Sequence, residues 1–232
     1  MHSERKMPEL PEERLLSNAL FAKQRVLDTQ KALFEQIFPN DDFDFVVKQW
    51  RTQNIFFALD TMAILGDELY NYPHGSSMTY LDVGAGPGFG TEFIAELFSD
   101  PQGAIRLECR ALELSTQWQR IYPALNSHLS ISTENLFDIP DKSYDIVTCS
   151  HVIEHLEPDD AVNFVKKLCA VAREFAIVTC PFMEPEPRHP SHIHSIDKIF
   201  INRLNRSWFV VFNSFCGVEL HRFSGVFGFF FG

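Results

Sequence analysis

Ten residues, Leu81-Asp82-Val83-Gly84-Ala85-Gly86-Pro87-Gly88-Phe89-Gly90, constrain this chain more than any other stretch. An apolar run ending in alternating glycines lets a strand turn tightly and lets a ligand approach the backbone with no side chain in the way. The following Thr91-Glu92-Phe93-Ile94-Ala95-Glu96-Leu97 has helical spacing, which sets a helix N-terminus beside the same ligand. A dinucleotide fingerprint asks for a third glycine three residues after the second, where this chain has Phe89; Gly84, Gly86 and Gly88 satisfy G-x-G-x-G instead. The spacing disfavours a nicotinamide dinucleotide oxidoreductase. It favours a ligand without a pyrophosphate, whose tail rests on the glycine shelf and whose ribose finds an acidic partner.

From Tyr80 onward strand and helix patterns alternate: strands at 79–84, 105–113, 129–133, 144–149 and 174–180, helices at 89–98, 116–121 and 159–172. Alternation of this kind predicts a parallel sheet covered on both faces, with ligands at the strand ends by the topological switch. Ahead of it, a helix from Pro11 stops at Pro39-Asn40-Asp41-Asp42, and a second runs from about Phe43 to Leu65 with Val46, Val47, Trp50, Phe57 and Ile64 on its apolar face. Residues 1–78 are thus a helical extension, either packed on the sheet flank or closing over the ligand mouth, and 79–232 the main domain. After Pro181 come a Pro/His-rich loop, an amphipathic segment Ile196–Leu204, and aromatic strand candidates at 208–215 and 218–231.

The 232 residues and 45% apolar content suit one domain with an elaboration. A formal charge of -11, with no run of Lys or Arg longer than two, leaves no phosphate-backbone footprint and disfavours long nucleic acids as partners. Cys109, Cys149, Cys169, Cys180 and Cys216 are odd in number and contain no C-x-x-C pair, as expected of buried, reduced thiols in the cytoplasm. No secretory signal pattern follows Met1, and the Phe-rich end, Phe223 to Gly232, is too short and glycine-broken to span a bilayer. It reads as a terminal strand, able to finish inside the chain or to pair across a homodimer edge.

Glu113 closes the second strand, where a carboxylate can accept from both ribose hydroxyls. Asn135 follows the third strand, placed to read an adenine edge, with Leu136 beside it as an apolar face. Together with Asp138-Ile139-Pro140-Asp141-Lys142-Ser143-Tyr144-Asp145 and Ser150-His151-Val152-Ile153-Glu154-His155-Leu156, these segments fall in order across 79–181. In that order they resemble the successive motifs of the class I S-adenosylmethionine-dependent methyltransferases. The resemblance implies a Rossmann-like, doubly wound sheet of seven mostly parallel strands, the last antiparallel, and S-adenosylmethionine as cofactor. It implies that Asp82, Gly84, Ala85, Gly86, Pro87 and Gly88 hold the methionine moiety, Glu113 the ribose, Asn135 and Leu136 the adenine, and Ser150 and His151 the wall beside the sulfonium, with Leu114 also among the cofactor-binding residues. Glu113 and Asn135 stand where the family more often has Asp, and each exchange keeps an acceptor.

Methyl transfer is an in-line displacement, so the acceptor must be aligned and, where it carries one, relieved of a proton. Five of the nine histidines lie in two clusters: His151 and His155 after the fourth strand, and His189, His192 and His194 after the fifth. His151, His155 and His192 are the candidate catalytic residues, with His151 or His192 as the general base. His151, Glu154 and His155 at i, i+3, i+4 also form one face of a helical turn, which His192 or His189 can complete as a metal set. That pattern partly resembles the small-RNA 3′-terminal 2′-O-methyltransferases, with His151 where they have Glu. The acidic charge favours the metal-free small-molecule and sugar enzymes that share His-x-x-Glu-His, and no resident metal is assigned. The expectation is methyl transfer to a hydroxyl or amine of a small molecule such as a sugar, glycan precursor or secondary metabolite. The alternatives are a metal-assisted RNA-end 2′-O-methyltransferase and a non-catalytic module that binds the cofactor.

Overall fold

The computed structural model describes residues 43–98, 105–115, 129–184, 190–204, 211–213, 217–219 and 226–231. The helix expected from Pro11, the one expected at 116–121, and His189 and Cys216 lie outside these residues. In chain order the elements are α1 (Phe43–Leu69), β1 (Ser76–Val83), α2 (Phe89–Leu97), β2 (Ile105–Leu112), β3 (Ser130–Ser132), β4 (Tyr144–Ser150), α3 (Pro158–Val171), β5 (Ala172–Pro181), α4 (Lys198–Arg203), β6 (Val211–Asn213), β7 (Gly217–Glu219) and β8 (Val226–Phe231). Short 3-10 turns at Leu136–Asp138 and Ile153–His155 precede β4 and α3.

The main sheet runs β3-β2-β1-β4-β5-β8 and every pairing in it is parallel. Among the described residues the sheet has six strands, and β8 runs parallel to β5; the expected seventh, antiparallel strand is not among them. Antiparallel pairing is confined to a separate β6-β7 hairpin. The long excursion from Pro181 to Val226, which contains α4, gives room for the crossover that parallel pairing requires. β1 begins at Ser76, two residues before the expected start of the main domain.

Strand residues alternate between two cores, as a doubly wound sheet requires. Tyr80, Ile146 and Ile177 face the side covered by Ala58, Ile64, Leu65 and Leu69 of α1 and by Ile94 and Ala95 of α2. Leu81, Val147 and Val178 face the side covered by Ala161, Val165 and Leu168 of α3 and by Phe200 of α4. One clamp fixes the lower edge: Asp145 Oδ2 accepts from Thr79 N and Oγ1 at 2.7 and 2.8 Å, while Arg173 reaches Asp145 Oδ1 at 2.6 Å. The opposite edge carries the ligand-facing loops. There the chain reverses its building direction between β1 and β4, the place where open α/β sheets leave a crevice. No helix among the described residues is long and apolar enough to cross a membrane.

Candidate active site

The crevice between the ends of β1 and β4 is a pocket of about 160 Å³. Asp82, Gly84, Ala85, Gly86 and Gly90 form one wall, Ser150 and His151 another, and Asn54, Phe57, Ala58 and Thr61 of α1 a third. The glycine loop is bent as its composition demands: Gly84, Gly86 and Gly88 have φ of 76°, 55° and 78°, a region costly for any residue with a Cβ. At Gly84 space matters too, because a Cβ there would lie 2.4 Å from Val152 Cγ2. The loop after β1 and the loop after β4 therefore meet at Gly84, whose lack of a side chain leaves room for Val152.

Asp82 anchors the pocket floor. Its carboxylate accepts from Thr91 Oγ1 of α2 and, at 3.1 Å, from Thr148 Oγ1 of β4, whose oxygen also lies 2.7 Å from the Tyr80 hydroxyl. Burial pushes the Asp82 carboxyl above its ordinary value, the two hydroxyls pull it back, and the Glu113 charge adds to the rise. Glu113 spans the next gap, accepting from Gly86 N and from Ser115 N, each at 2.8 Å. The acid expected at the ribose thus also holds the glycine loop in shape. Behind the loop Glu92 is buried at 4% exposure, and its carboxyl is pushed up to about 7 by burial, against the pull of Arg51.

The expected adenine residues are only partly placed for that task. Leu136 is 3% exposed and belongs to the core under α3, so its side chain is not presented to a ligand. The Asn135 side chain accepts from Phe137 N at 3.0 Å and caps the 3-10 turn. Leu114, directly after Glu113, is 64% exposed. Pro87 is buried and Gly88 caps α2 in the left-handed conformation, so both shape the loop from behind the pocket lining.

The three candidate histidines separate. His151 lines the pocket; its backbone is left-handed at φ 55°, its N–H donates to Thr179 O at 2.8 Å, and its ring stacks on Phe57 with centroids 3.5 Å apart. A left-handed conformation at a residue with a Cβ stores strain that the surroundings must hold. His155 and His192 lie in a second group, their rings edge to face at 5.0 Å, together with Glu154. The turn Ile153–His155 is 3-10 and His151 stands outside it, which corrects the expected single face of His151, Glu154 and His155. Sequence reasoning passed over Asn54, Ala58 and Thr61, the pocket residues of α1, and also Asp60, whose carboxyl burial lifts to about 6 despite nearby His151. The apolar stripe through Phe57 was the available signal; its polar neighbours carried none.

Residues 81–178 match the methyltransferase domain family. A mitochondrial ubiquinone biosynthesis O-methyltransferase of Candida albicans is 37% identical over 93 residues, which are 39% of this chain and 28% of that protein. The chain therefore matches little more than a quarter of its curated relative's length. Among solved structures, magnesium protoporphyrin IX methyltransferase of Synechocystis PCC 6803 with bound SAH is similar at TM-score 0.51 and 18% identity, over 78% of this chain and 86% of that one. The YcgJ protein of Bacillus subtilis is similar at TM-score 0.45 and 16% identity, over 60% and 64%.

Proposed function

Residues 81–178 carry a methyltransferase domain of the class I S-adenosylmethionine-dependent kind, and from that premise we propose that the chain moves the cofactor's methyl group to a hydroxyl or amine of a small molecule. The observation that carries the reading is the pocket at the β1-β4 switch, walled by Asp82, the glycine loop, Ser150 and His151. The methionine moiety lies on the loop from Gly84 to Gly88 above Asp82. Glu113 takes the ribose, Leu114 supplies an apolar face, and Asn135 offers its amide to the adenine. Ser150 and His151 wall the sulfonium, and the imidazole takes the acceptor's proton as the carbon–oxygen or carbon–nitrogen bond forms. α1 is the lid: Phe57 covers the imidazole and Thr61 Oγ1 lies 3.4 Å from Ser150 Oγ.

The Candida relative is named an O-methyltransferase, which supports an oxygen on a small molecule as the acceptor. The charge of -11 argues against RNA. Four described cysteines are free thiols, in keeping with a reducing compartment such as the cytoplasm. A homodimer through the aromatic C-terminal strand stays part of this reading.

Calorimetric titration of S-adenosylmethionine, followed by mass detection of methylated products from phenolic, sugar and amine acceptors, tests it. Micromolar binding and a product 14 mass units heavier support the assignment; failure to bind either the cofactor or S-adenosylhomocysteine overturns it.

A further inference from the structure

From Gly84 to Gly88 every backbone N–H of the glycine loop is already engaged. Gly84 N and Ala85 N donate to Leu112 O at 2.9 and 3.1 Å, Gly86 N donates to Glu113 Oε2 at 2.8 Å, and Gly88 N donates to Ala85 O at 2.9 Å. Pro87 has no N–H to give. The floor carboxylate, Asp82, can only accept when ionised and so suits the ammonium end of an amino-acid tail. The α-carboxylate of the same tail needs donors of its own, because an anion held out of water without them is costly. No Lys or Arg is among the residues that line the pocket.

α1 brings a donor to this place. Asn54 lines the pocket together with Gly90, and its carboxamide carries two N–H groups. Close packing fixes its position: a Cβ on Gly90 would lie 3.2 Å from Asn54 O and 3.5 Å from Ala58 Cβ, so the α1 backbone rests directly on the start of α2. The other polar side chains of the lining already have neighbours. Thr61 Oγ1 and Ser150 Oγ are 3.4 Å apart, His151 Nδ1 lies 3.3 Å from Glu154 Oε1, and the buried Tyr80 hydroxyl is 2.7 Å from Thr148 Oγ1.

We propose that Asn54 binds the α-carboxylate of the cofactor's amino-acid tail and so makes the seating of α1 depend on that tail. This role rests on the function proposed above. Asn54, Phe57 and Thr61 stand at i, i+3 and i+7, on one face of the helix. Phe57 stacks on His151 with centroids 3.5 Å apart, and Thr61 reaches Ser150. One helix face thus joins the tail of the cofactor to the wall where the acceptor is received. A tail that holds Asn54 favours this position of α1 over any in which the amide is withdrawn, and the acceptor side is completed after the cofactor has bound.

Calorimetry of the full chain with S-adenosylhomocysteine, which has the tail, and with methylthioadenosine, which has the nucleoside and sulfur without it, separates the two ends of the ligand. Asn54→Ala should weaken S-adenosylhomocysteine about 10- to 100-fold and leave methylthioadenosine within about threefold. Asn54→Asp, which sets two carboxylates against each other, should weaken S-adenosylhomocysteine further, whereas exposed Gln53→Ala should change neither ligand. Amide exchange in α1 of the wild-type chain should slow with S-adenosylhomocysteine and not with methylthioadenosine. Alanine favours a helix interior, and circular dichroism verifies that each variant folds. Equal losses for both ligands, or unchanged S-adenosylhomocysteine affinity in folded Asn54→Ala, overturn the role of Asn54 alone. Failure of the wild-type chain to bind S-adenosylhomocysteine overturns the methyltransferase reading, and the role of Asn54 with it.

Discussion

Two loops meet at the same edge of the sheet and are built on opposite principles. The loop after β1 works through backbone: three left-handed glycines, the Gly86 N–H on Glu113, and a floor carboxylate, Asp82, held by two hydroxyls. The region after β4 and β5 works through side chains drawn from distant segments, with His151, Glu154 and His155 on one and Glu184 and His192 on the other. A site made of backbone leaves a compact, local mark in the sequence. One made of side chains from separate strand ends leaves single residues, whose grouping depends on the fold.

That contrast can be broken by substitution. The largest effect belongs to the side-chain region: His151→Ala should lower turnover about 10²- to 10⁴-fold while cofactor affinity stays within about threefold, checked by single-turnover assay beside calorimetry. Equal losses in both would merge the two regions. Next, Gly84→Ala should destabilise the fold by about 3 kcal/mol, since it combines left-handed strain with overlap against Val152. Adding Val152→Ala should recover part of that loss in urea unfolding, and strict additivity of the two changes would show that the loops are independent.

Glu92 gives a pH signature on the glycine-loop side. Its carboxyl rises from 4.5 to about 7 on folding, so the native state holds the proton more tightly than the unfolded chain. Stability should therefore fall by about 3 kcal/mol as pH climbs from 4.5 through 7. Glu92→Gln should flatten that slope, and an unchanged slope would assign the titration elsewhere. Smallest is Thr61→Ala: its 3.4 Å contact with Ser150 should contribute no more than about 1 kcal/mol to holding α1 on the pocket, read as faster amide exchange in α1.

The parallel core was legible because each strand is an apolar run bounded by turn residues, and the alternation of Tyr80 with Leu81 or Ile146 with Val147 sorts the two faces. The C-terminal sheet edge was not, since an aromatic run such as 226–231 suits either direction. Within the site, Asp82, Gly84, Ala85, Gly86, Ser150 and His151 share the pocket. Leu136 turns inward to the core once the 3-10 turn forms, a placement that no pattern around Asn135 announces, while Leu114 stays exposed. The polar α1 residues escaped notice because helical periodicity marks which residues a helix buries and says nothing of a cleft at its flank.

In the stack of Phe57 on His151, the imidazole face already has an aromatic neighbour supplied by the chain itself. An acceptor that uses this face exchanges one ring for another, so its apparent affinity measures a difference and not a whole contact. Selectivity among flat acceptors is then a competition in which the enzyme holds a standing bid, and loosening α1 would widen the range of molecules able to win it.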